Sequence, residues 1–371
     1  MVETRMIKAA ICREFGAPLS IEEITVAPAG PGQVKVDVEA CAICHSDIHF
    51  IDGAWGGRLP AVYGHEAAGT VAEVGDGVDN VAVGDRVVIS LIRSCGSCPG
   101  CAKGMPVTCT GRFTIDKTRP LTDANGDSLV HGLKTAAFAE EAVVDASQVV
   151  KIPDEIPMTS AALLGCGVIT GFGAVTNTAK IETGSDVAVI GCGGVGLNAV
   201  QGATIAGAAQ VIAVDIADDK LAAAREFGAT AGLSAAAPDM ADQVRALTNG
   251  AGVDYVFVTV GAKSAIEQAF SLVAPCGAVV LVGMTATGVM IEVDATAIAG
   301  NSQRVLGSKM GAGRLPIDIP LLVSLYQDGR LKLDELVSKT YPIEEINGAI
   351  ESVKRGEARR NVIVFGNQPG S

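Results

Sequence analysis

Basic residues are scarce in this chain: 28 Lys and Arg residues stand against 41 Asp and Glu residues, for a formal net charge of −13 at pH 7. Nonspecific binding to nucleic acids or to acidic membranes needs a basic surface, so this balance argues against both classes of partner. An anionic ligand would have to be held by local hydrogen-bond donors, because the overall field of the protein does not attract it.

The first ten residues, MVETRMIKAA, lack the apolar core of a signal peptide. We therefore expect a cytoplasmic protein, in a compartment that keeps thiols reduced. In such a compartment the ten cysteines of the chain favour metal ligation over disulfide bonds.

The length of 371 residues is large for a single hydrophobic core, so two domains are the natural expectation. Hydrophobic residues make up 49% of the chain and charged residues 19%, which is the composition of a globular protein. We find no internal repeat and no low-complexity segment beyond a general enrichment in Ala and Gly.

The stretch from Val187 to Asp215 has the pattern of a dinucleotide-binding unit. An apolar run leads into a glycine-rich turn, and a small-residue helical segment, a second apolar run and Asp215 follow. In this pattern the first glycine allows a tight turn, the second lets a pyrophosphate approach the backbone, and the third lets helix and strand pack closely. The helix N-terminus then offers N–H groups to phosphates. The turn consists of Gly191, Cys192, Gly193, Gly194, Val195 and Gly196.

Two other interpretations of this stretch stay open at this level. The unit could bind no nucleotide at all, or the uncharged run 187–214 could cross a membrane. Its many glycines, Asn198 and Gln201 fit a buried strand–helix–strand unit better than a lipid-facing helix.

Two patterns of secondary structure divide the chain. Alternating apolar residues and turn signals predict a β-rich first part, with strands at 6–13, 34–39 and within 70–89. After Asp215, helices at 220–227 and 262–272 alternate with strands at 255–260 and 278–282. Such alternation predicts an α/β fold with a doubly wound parallel sheet.

Four thiols lie close together in the sequence: Cys95, Cys98, Cys101 and Cys109. An all-sulfur set of four is what a closed, structural zinc site requires, and we expect the metal to stiffen this lobe rather than to catalyse. A disulfide pair or free thiols are the alternatives. A reducing compartment disfavours the first, and the clustering of four thiols disfavours the second.

A catalytic metal would have to be bound by the remaining thiols and imidazoles. No compact spacing selects a ligand set among them, so reasoning from the residues alone leaves this choice open. The candidates are Cys12, Cys41, Cys44, Cys166, Cys192 and Cys276, with His45, His49, His65 and His131.

Several motifs together resemble those of zinc-containing medium-chain alcohol dehydrogenases, in particular the long, class III-like type. They are Gly64-His65-Glu66-Ala67-Ala68-Gly69, the four-cysteine lobe, Gly165-Cys166-Gly167 and the glycine-rich turn, in matching order and spacing over nearly the whole chain. The resemblance implies a GroES-like β-rich catalytic domain at 1–167 and 309–371, with its zinc lobe at about 93–111. It implies a Rossmann NAD-binding domain at 168–308.

The resemblance implies two zinc ions per subunit. The catalytic ion would be bound by Cys44, His65 and Cys166, leaving one position open for water or alcohol. Glu66 and Asp47 would lie behind these ligands, with Asp47 orienting the ring of His65. The alternatives are an ordinary helix cap for Asp47 and a satisfied core histidine for His65.

Further roles follow from the same resemblance. Ser46 and His49 would pass the alcohol proton to solvent, since a hydroxyl and an imidazole can both donate and accept; a surface histidine is the alternative for His49. Asp215 would bind the adenosine ribose and favour NAD over NADP. His45, Thr170, Lys220 and Arg360 would be further cofactor contacts, although Lys220 could equally be a solvated helix lysine.

The substrate pocket is where the chain departs from its family. Leu91 and Gly132 stand where relatives carry aromatic residues, and Trp55 would guard the mouth. We therefore expect room for a ring or a branched chain. No clear counterpart exists for the basic residue that class III enzymes use to bind glutathione; Arg112, Lys117 and Arg119 are nearby but more typical of solvated positions.

The expected function is reversible, NAD-dependent oxidation of a primary, medium-sized or aromatic alcohol to its aldehyde, in a homodimer or homotetramer. S-(hydroxymethyl)glutathione oxidation is the enzymatic alternative. A catalytically silent cofactor-binding protein is the remote one, and the intact ligand set and proton relay argue against it.

Overall fold

The computed structural model describes residues 5–366, and the chain divides into two compact units. The flanking unit consists of Met1–Cys166 and Arg314–Ser371, and the central unit consists of Gly167–Gly313. The chain therefore leaves the first unit once and returns to it. The domain boundaries expected from sequence, 167/168 and 308/309, differ by one and five residues from the boundaries between these units, 166/167 and 313/314.

The first part of the flanking unit is built mainly from β-strands, as the alternation of apolar residues predicts. Four short helices interrupt them: α1 (His45–Ile51), α2 (Pro99–Ala102), α3 (Ile115–Thr118) and α4 (Met158–Leu163). The strands are β1 (Met6–Cys12), β2 (Ser20–Val26), β3 (Gln33–Ala42), β4 (Ala61–Val62), β5 (Glu66–Val74), β6 (Arg86–Ser90), β7 (Leu121–Asp123), β8 (Val130–His131), β9 (Glu141–Asp145) and β10 (Val149–Lys151).

The central unit alternates strand and helix after an initial helical segment. Its helices are α5 (Ile169–Gly173), α6 (Gly194–Ile205), α7 (Asp218–Glu226), α8 (Met240–Leu247), α9 (Lys263–Ala269) and α10 (Ala295–Gly300). Its strands are β11 (Asp186–Ile190), β12 (Gln210–Asp215), β13 (Ala231–Ser234), β14 (Val253–Val258), β15 (Val273–Leu281) and β16 (Arg304–Gly307).

The six strands of the central unit form one parallel sheet in the order β13-β12-β11-β14-β15-β16. Its inner strands are apolar runs with almost no exposed residue, as expected for strands covered on both faces. The strand order reverses direction beside β11, so the turns after β11 and after β14 meet at the place where doubly wound sheets bind ligands. The predicted Rossmann fold is confirmed.

The returning segment completes the flanking unit with α11 (Leu315–Gln327), α12 (Ile346–Lys354), β17 (Val337–Pro342) and β18 (Arg360–Val364). Strand β18 inserts between β3 and β17 in a seven-stranded sheet, β10-β6-β5-β3-β18-β17, with β9 also paired to β3. A second sheet has the order β7-β2-β1-β4-β8. The buried side chains of both sheets form one core, which includes Ile11, Val36, Ile89 and Phe138.

Helix α4 continues through Ala179 as one helical segment with two π-helical stretches, Leu164–Val168 and Ala174–Ala179. The segment Met158–Ala179 has 22 residues, and its most apolar 18-residue window has a mean hydropathy of 1.6, so by length and composition it could cross a membrane. Its most apolar window is 94% buried inside the protein, which is typical of a core helix.

Candidate active site

Three side chains of the flanking unit converge in the protein interior: Cys44, His65 and Cys166. Their ligand atoms all lie within 4.8 Å of one another, and all three residues are buried. His65 Nε2 lies 3.3 Å from Cys166 Sγ. Donor atoms bound to one tetrahedral zinc, at about 2.0 Å for nitrogen and 2.3 Å for sulfur, are separated by roughly 3.5 Å. The set therefore fits a single zinc ion with three protein ligands.

Each of these ligands is presented by a different element. Cys44 is the N-cap of α1, His65 precedes β5, and Cys166 lies in the π-helical stretch after α4. Gly64 adopts a φ of +91°, and a Cβ there would lie 2.5 Å from Phe138 N, so this position needs glycine. The Gly-His motif thus has a backbone reason as well as a chemical one.

Asp47 holds two of the ligands in place. Its Oδ1 accepts hydrogen bonds from His65 Nδ1 at 2.9 Å and from Gly64 N at 3.0 Å, and its Oδ2 accepts from Cys44 N at 3.1 Å. Asp47 and His65 are both fully buried. When Nδ1–H is donated to the carboxylate and the ring is neutral, the lone pair of His65 lies on Nε2, which is the atom that faces Cys166.

Electrostatics at this centre favour a bound cation. Burial alone would lower the pKa of His65, but the charge and hydrogen bond of Asp47 and the neighbouring Cys44 sulfur raise it well above its usual range. A hydrogen bond from Cys166 lowers the pKa of Cys44 well below its usual range, against the effect of burial, and His65 acts in the same direction. The directions of these two shifts are those expected where a buried sulfur lies beside positive charge.

Behind the ligands lies a buried ion pair that sequence reasoning missed. Arg360 Nε is 3.6 Å from Glu66 Oε1, with side-chain exposures of 6% and 0%. Glu66 begins β5 and Arg360 begins β18, so the two are brought together only by the fold. The Nη2 atom of Arg360 has no hydrogen-bond partner within residues 5–366.

The two residues predicted to relay a proton lie on α1. Ser46 and His49 are three positions apart, which places them on one face of the helix. The ring of His49 lies 4.7 Å from that of Trp55, and Phe50 meets Trp55 edge to face at 5.4 Å. Trp55 thus packs beside His49, and His45 at the start of the helix is exposed.

The four-cysteine lobe forms a second cluster. The sulfur atoms of Cys95, Cys98, Cys101 and Cys109 lie within 4.8 Å of one another. Backbone N–H groups point at them: Cys98 N lies 3.4 Å from Cys95 Sγ. The N–H groups of Cys101 and Thr110 lower the pKa of Cys98 to about 5. Four sulfur atoms arranged in this way fit a closed zinc site.

The glycine-rich turn of the central unit lies between β11 and α6, with Gly193 as the N-cap of α6. Gly191 has a φ of +92°, and a Cβ on Gly196 would lie only 1.8 Å from the Gly191 carbonyl oxygen. Helix α6 can therefore approach the turn only with glycine at position 196. The carboxylate of Asp215, at the end of β12, accepts hydrogen bonds from Cys192 N at 2.7 Å and Ala217 N at 3.1 Å.

Comparisons with known proteins agree with this geometry. Residues 30–154 match the family described as alcohol dehydrogenase GroES-like domain, and residues 194–327 match the family described as zinc-binding dehydrogenase. The chain is 36% identical to the probable S-(hydroxymethyl)glutathione dehydrogenase 1 of Schizosaccharomyces pombe, over 97% of each chain.

Two solved structures are similar along their whole length. An alcohol dehydrogenase zinc-binding domain protein from Burkholderia ambifaria has a TM-score of 0.94 and 35% identity, covering 98% of this chain and 100% of its own. Benzyl alcohol dehydrogenase from Acinetobacter calcoaceticus has a TM-score of 0.91 and 30% identity, with the same coverage. The chain belongs to the zinc-containing medium-chain alcohol dehydrogenase family. It is therefore an oxidoreductase whose relatives act on alcohols and aldehydes.

The remaining cofactor residues predicted for this family member lie in the central unit. Thr170 is buried in α5, and its hydroxyl donates to Met310 Sδ at 3.6 Å. Lys220 lies in the first turn of α7. Burial and the charge of Asp215 raise the pKa of the Cys192 thiol to about 12, and Lys220 acts in the opposite direction.

The pocket prediction needs one correction. Leu91 directly follows β6 and is half-buried, so its side chain is partly accessible. Gly132, however, is buried, and a Cβ there would lie 2.3 Å from Val62 O and 2.5 Å from Tyr63 Cδ1. The expectation that Gly132 leaves open volume is therefore wrong, because the neighbouring strand fills that space.

Proposed function

We propose that this protein is a cytoplasmic, NAD-dependent zinc alcohol dehydrogenase that interconverts a primary alcohol and its aldehyde. The observation that carries the proposal is the difference between the two clusters. The buried centre offers three ligand atoms and the lobe offers four. Catalytic zinc sites keep one position open for substrate, whereas structural sites are closed.

The residues of the buried centre would hold the catalytic zinc, and those of the lobe a structural one. When bound, the zinc would make the alcohol hydroxyl more acidic and the nicotinamide would accept the hydride. The chain's own part is to orient and to move a proton. Asp47 fixes the His65 ring, and Ser46 and His49 offer a hydroxyl and an imidazole on one helix face for the proton to leave by.

The choice of NAD rests on Asp215. A carboxylate has about four lone-pair sites, and the two backbone N–H groups that contact Asp215 occupy two of them. The remaining sites can accept both hydroxyls of the adenosine ribose, and the same charge repels a 2′-phosphate. His45, Thr170, Lys220 and Arg360 are proposed as further cofactor contacts.

A medium-sized or aromatic alcohol is the proposed substrate. Leu91 in place of a ring supports it, and one similar structure is a benzyl alcohol dehydrogenase. S-(hydroxymethyl)glutathione is the second candidate substrate, because the Schizosaccharomyces pombe relative is a probable S-(hydroxymethyl)glutathione dehydrogenase. Each additional buried methylene is worth about 0.8 kcal/mol, so benzyl alcohol should exceed ethanol in kcat/KM by tenfold or more.

A substrate panel with NAD, run with and without glutathione, tests this choice. Turnover of formaldehyde only in the presence of glutathione would replace the proposed substrate with the second candidate. Ethanol as the best substrate would refute the pocket argument. Because Gly132→Phe cannot be accommodated, Leu91→Phe is the better variant: it should slow benzyl alcohol and leave ethanol nearly unchanged.

We also propose a homo-oligomer that pairs through the central sheet. Strand β16 is an edge strand, bonded within residues 5–366 only to β15. Val305 in this strand is 44% exposed, and Met284 and Met290 nearby in sequence are 59% and 77% exposed. An open edge with exposed apolar side chains suits pairing with a second copy. Light scattering should show dimers or tetramers that Val305→Asp disrupts, whereas Val83→Asp, at a valine of the flanking unit that is even more exposed (63%), should not.

A further inference from the structure

The glycine-rich turn is held from both neighbouring strands of the sheet. From the side of β12, the Asp215 carboxylate accepts the Cys192 N–H. From the side of β14, the hydroxyl of Thr259 donates to the Gly191 carbonyl oxygen at 2.7 Å and lies 3.2 Å from that of Ile190. Thr259 directly follows β14, so its side chain reaches the turn at the point where the strand order reverses.

The Thr259 hydroxyl fills the space between two glycines of the turn. Its Oγ1 lies 3.0 Å from the Cβ position of Gly191 and 3.0 Å from that of Gly196. Thr259 donates to the carbonyl oxygen of Gly191. A Cβ on Gly196 would lie only 1.8 Å from this same oxygen. The position of this carbonyl therefore sets how closely α6 approaches the turn.

We propose that Thr259 is a positioning residue for dinucleotide binding, acting through the Gly191 carbonyl on the turn that receives the pyrophosphate. The inference rests on the proposed function. A turn that is already fixed does not have to be ordered when the ligand binds, so its hydrogen bond contributes to affinity without touching the ligand.

Thr259→Val removes the hydroxyl and keeps the shape of the side chain. A methyl group at 2.7 Å from a carbonyl oxygen is too close, since C···O contacts begin at about 3.3 Å, so the turn must shift as well as lose its bond. One hydrogen bond corresponds to about threefold to tenfold in affinity. We expect the Kd for NADH to rise by that factor, whereas adenosine, which carries the ribose but no phosphate, should change less than twofold.

Three further variants complete the test, with binding measured by calorimetry and adenosine by competition. Thr259→Ser keeps the hydroxyl, so its Kd for NADH should lie within twofold of the wild-type value. Thr259→Ala should have a Kd similar to that of Thr259→Val, and it takes the place of that variant if Thr259→Val does not fold. The control is Thr248→Val: its hydroxyl accepts Gly252 N at 3.0 Å and donates to Val244 O at 2.9 Å in the same unit, away from the turn. It should lower the melting temperature without changing the Kd.

The outcomes separate the two proposals. If the wild type binds NADH and Thr259→Val binds equally well, the positioning role is refuted while the proposed function stands. The positioning role is also refuted if serine fails to restore binding, or if Thr248→Val weakens binding as much. If the wild type binds no NADH, the proposed function and the inference both fall.

Discussion

Replacing Asp47 with Asn should weaken zinc binding at the buried centre. The two carboxylate oxygens together accept three hydrogen bonds, from Cys44 N on one oxygen and from Gly64 N and His65 Nδ1 on the other. Asparagine has a single amide oxygen, which can replace only one of the two carboxylate oxygens. If that oxygen faces His65 and Gly64, the amide NH₂ faces Cys44 N, and two donors meet in a buried site. Turning the charged bond to His65 into a neutral one costs about 1 kcal/mol, and leaving a buried N–H unsatisfied costs about 1–3 kcal/mol.

The free energy of unfolding should therefore fall by about 2–4 kcal/mol in Asp47→Asn. Zinc affinity should fall by about 10–100-fold, as is usual when the partner of a ligating histidine is lost. The measurement is a zinc titration against a colorimetric chelator, which distinguishes the weak equivalent from the lobe zinc. Urea unfolding of the same preparation gives the stability change.

Asp123→Asn provides a matched control. Asp123 is also buried, its Oδ1 accepts N–H bonds from Asn125 and Asp127 at 3.0 Å, and its Oδ2 lies 3.2 Å from Arg13 Nη2. It contacts no candidate ligand. This variant should lose stability and keep both zinc ions. Equal zinc affinity in Asp47→Asn and the wild type would show that Asp47 is only a helix cap.

Three other predictions can be tested directly. Metal analysis should give about two zinc ions per chain; Cys98→Ser should mainly lower stability, and Cys166→Ser should abolish turnover in a folded protein. Asp215→Ser should reduce kcat/KM for NAD by tens-fold, about 2 kcal/mol for a lost charged hydrogen bond, and raise use of NADP; a wild type that prefers NADP would refute the role. Burial and the charge of Arg93 lower the pKa of His131 in the folded protein to about 4. As the pH falls below about 6.5, this histidine takes up a proton only in the unfolded state. The free energy of unfolding therefore decreases between pH 6.5 and pH 4. Between pH 7 and 5 the wild type should lose about 2 kcal/mol more than His131→Gln in urea unfolding.

The parts of the site that were predictable from residues are those that lie close together in sequence. The lobe cysteines and the glycine-rich turn are each contained in a short segment with its own pattern. The buried ligands are not: His65 lies 21 positions after Cys44, and Cys166 lies 101 positions after His65. A capped helix, a strand start and a π-helical stretch bring them together, so only family resemblance could select them.

Besides the Glu66–Arg360 ion pair, two features could be predicted neither from residue patterns nor from the family resemblance. The packing of Gly132 against Val62 and the contact of Thr259 with Gly191 depend on neighbouring strands, which no local pattern specifies. A usable signal existed for Thr259, because a polar residue at the carboxyl end of a strand beside the glycine-rich turn lies where such sheets bind ligands.

The insertion of β18 into the flanking sheet has a consequence for how the protein is made. Its pairing with β3 joins Val362 to Ala42, 320 residues apart, and its first residue supplies the partner of Glu66. During synthesis the central unit is complete once residue 313 has emerged, and domains generally fold as units in that order. The sheet that contains β3 must instead wait until β18, Arg360–Val364, has been synthesised. A chain stopped before Arg360 would carry a folded central unit and an open sheet in its flanking unit, and such an exposed edge is a target for aggregation and for quality-control proteases.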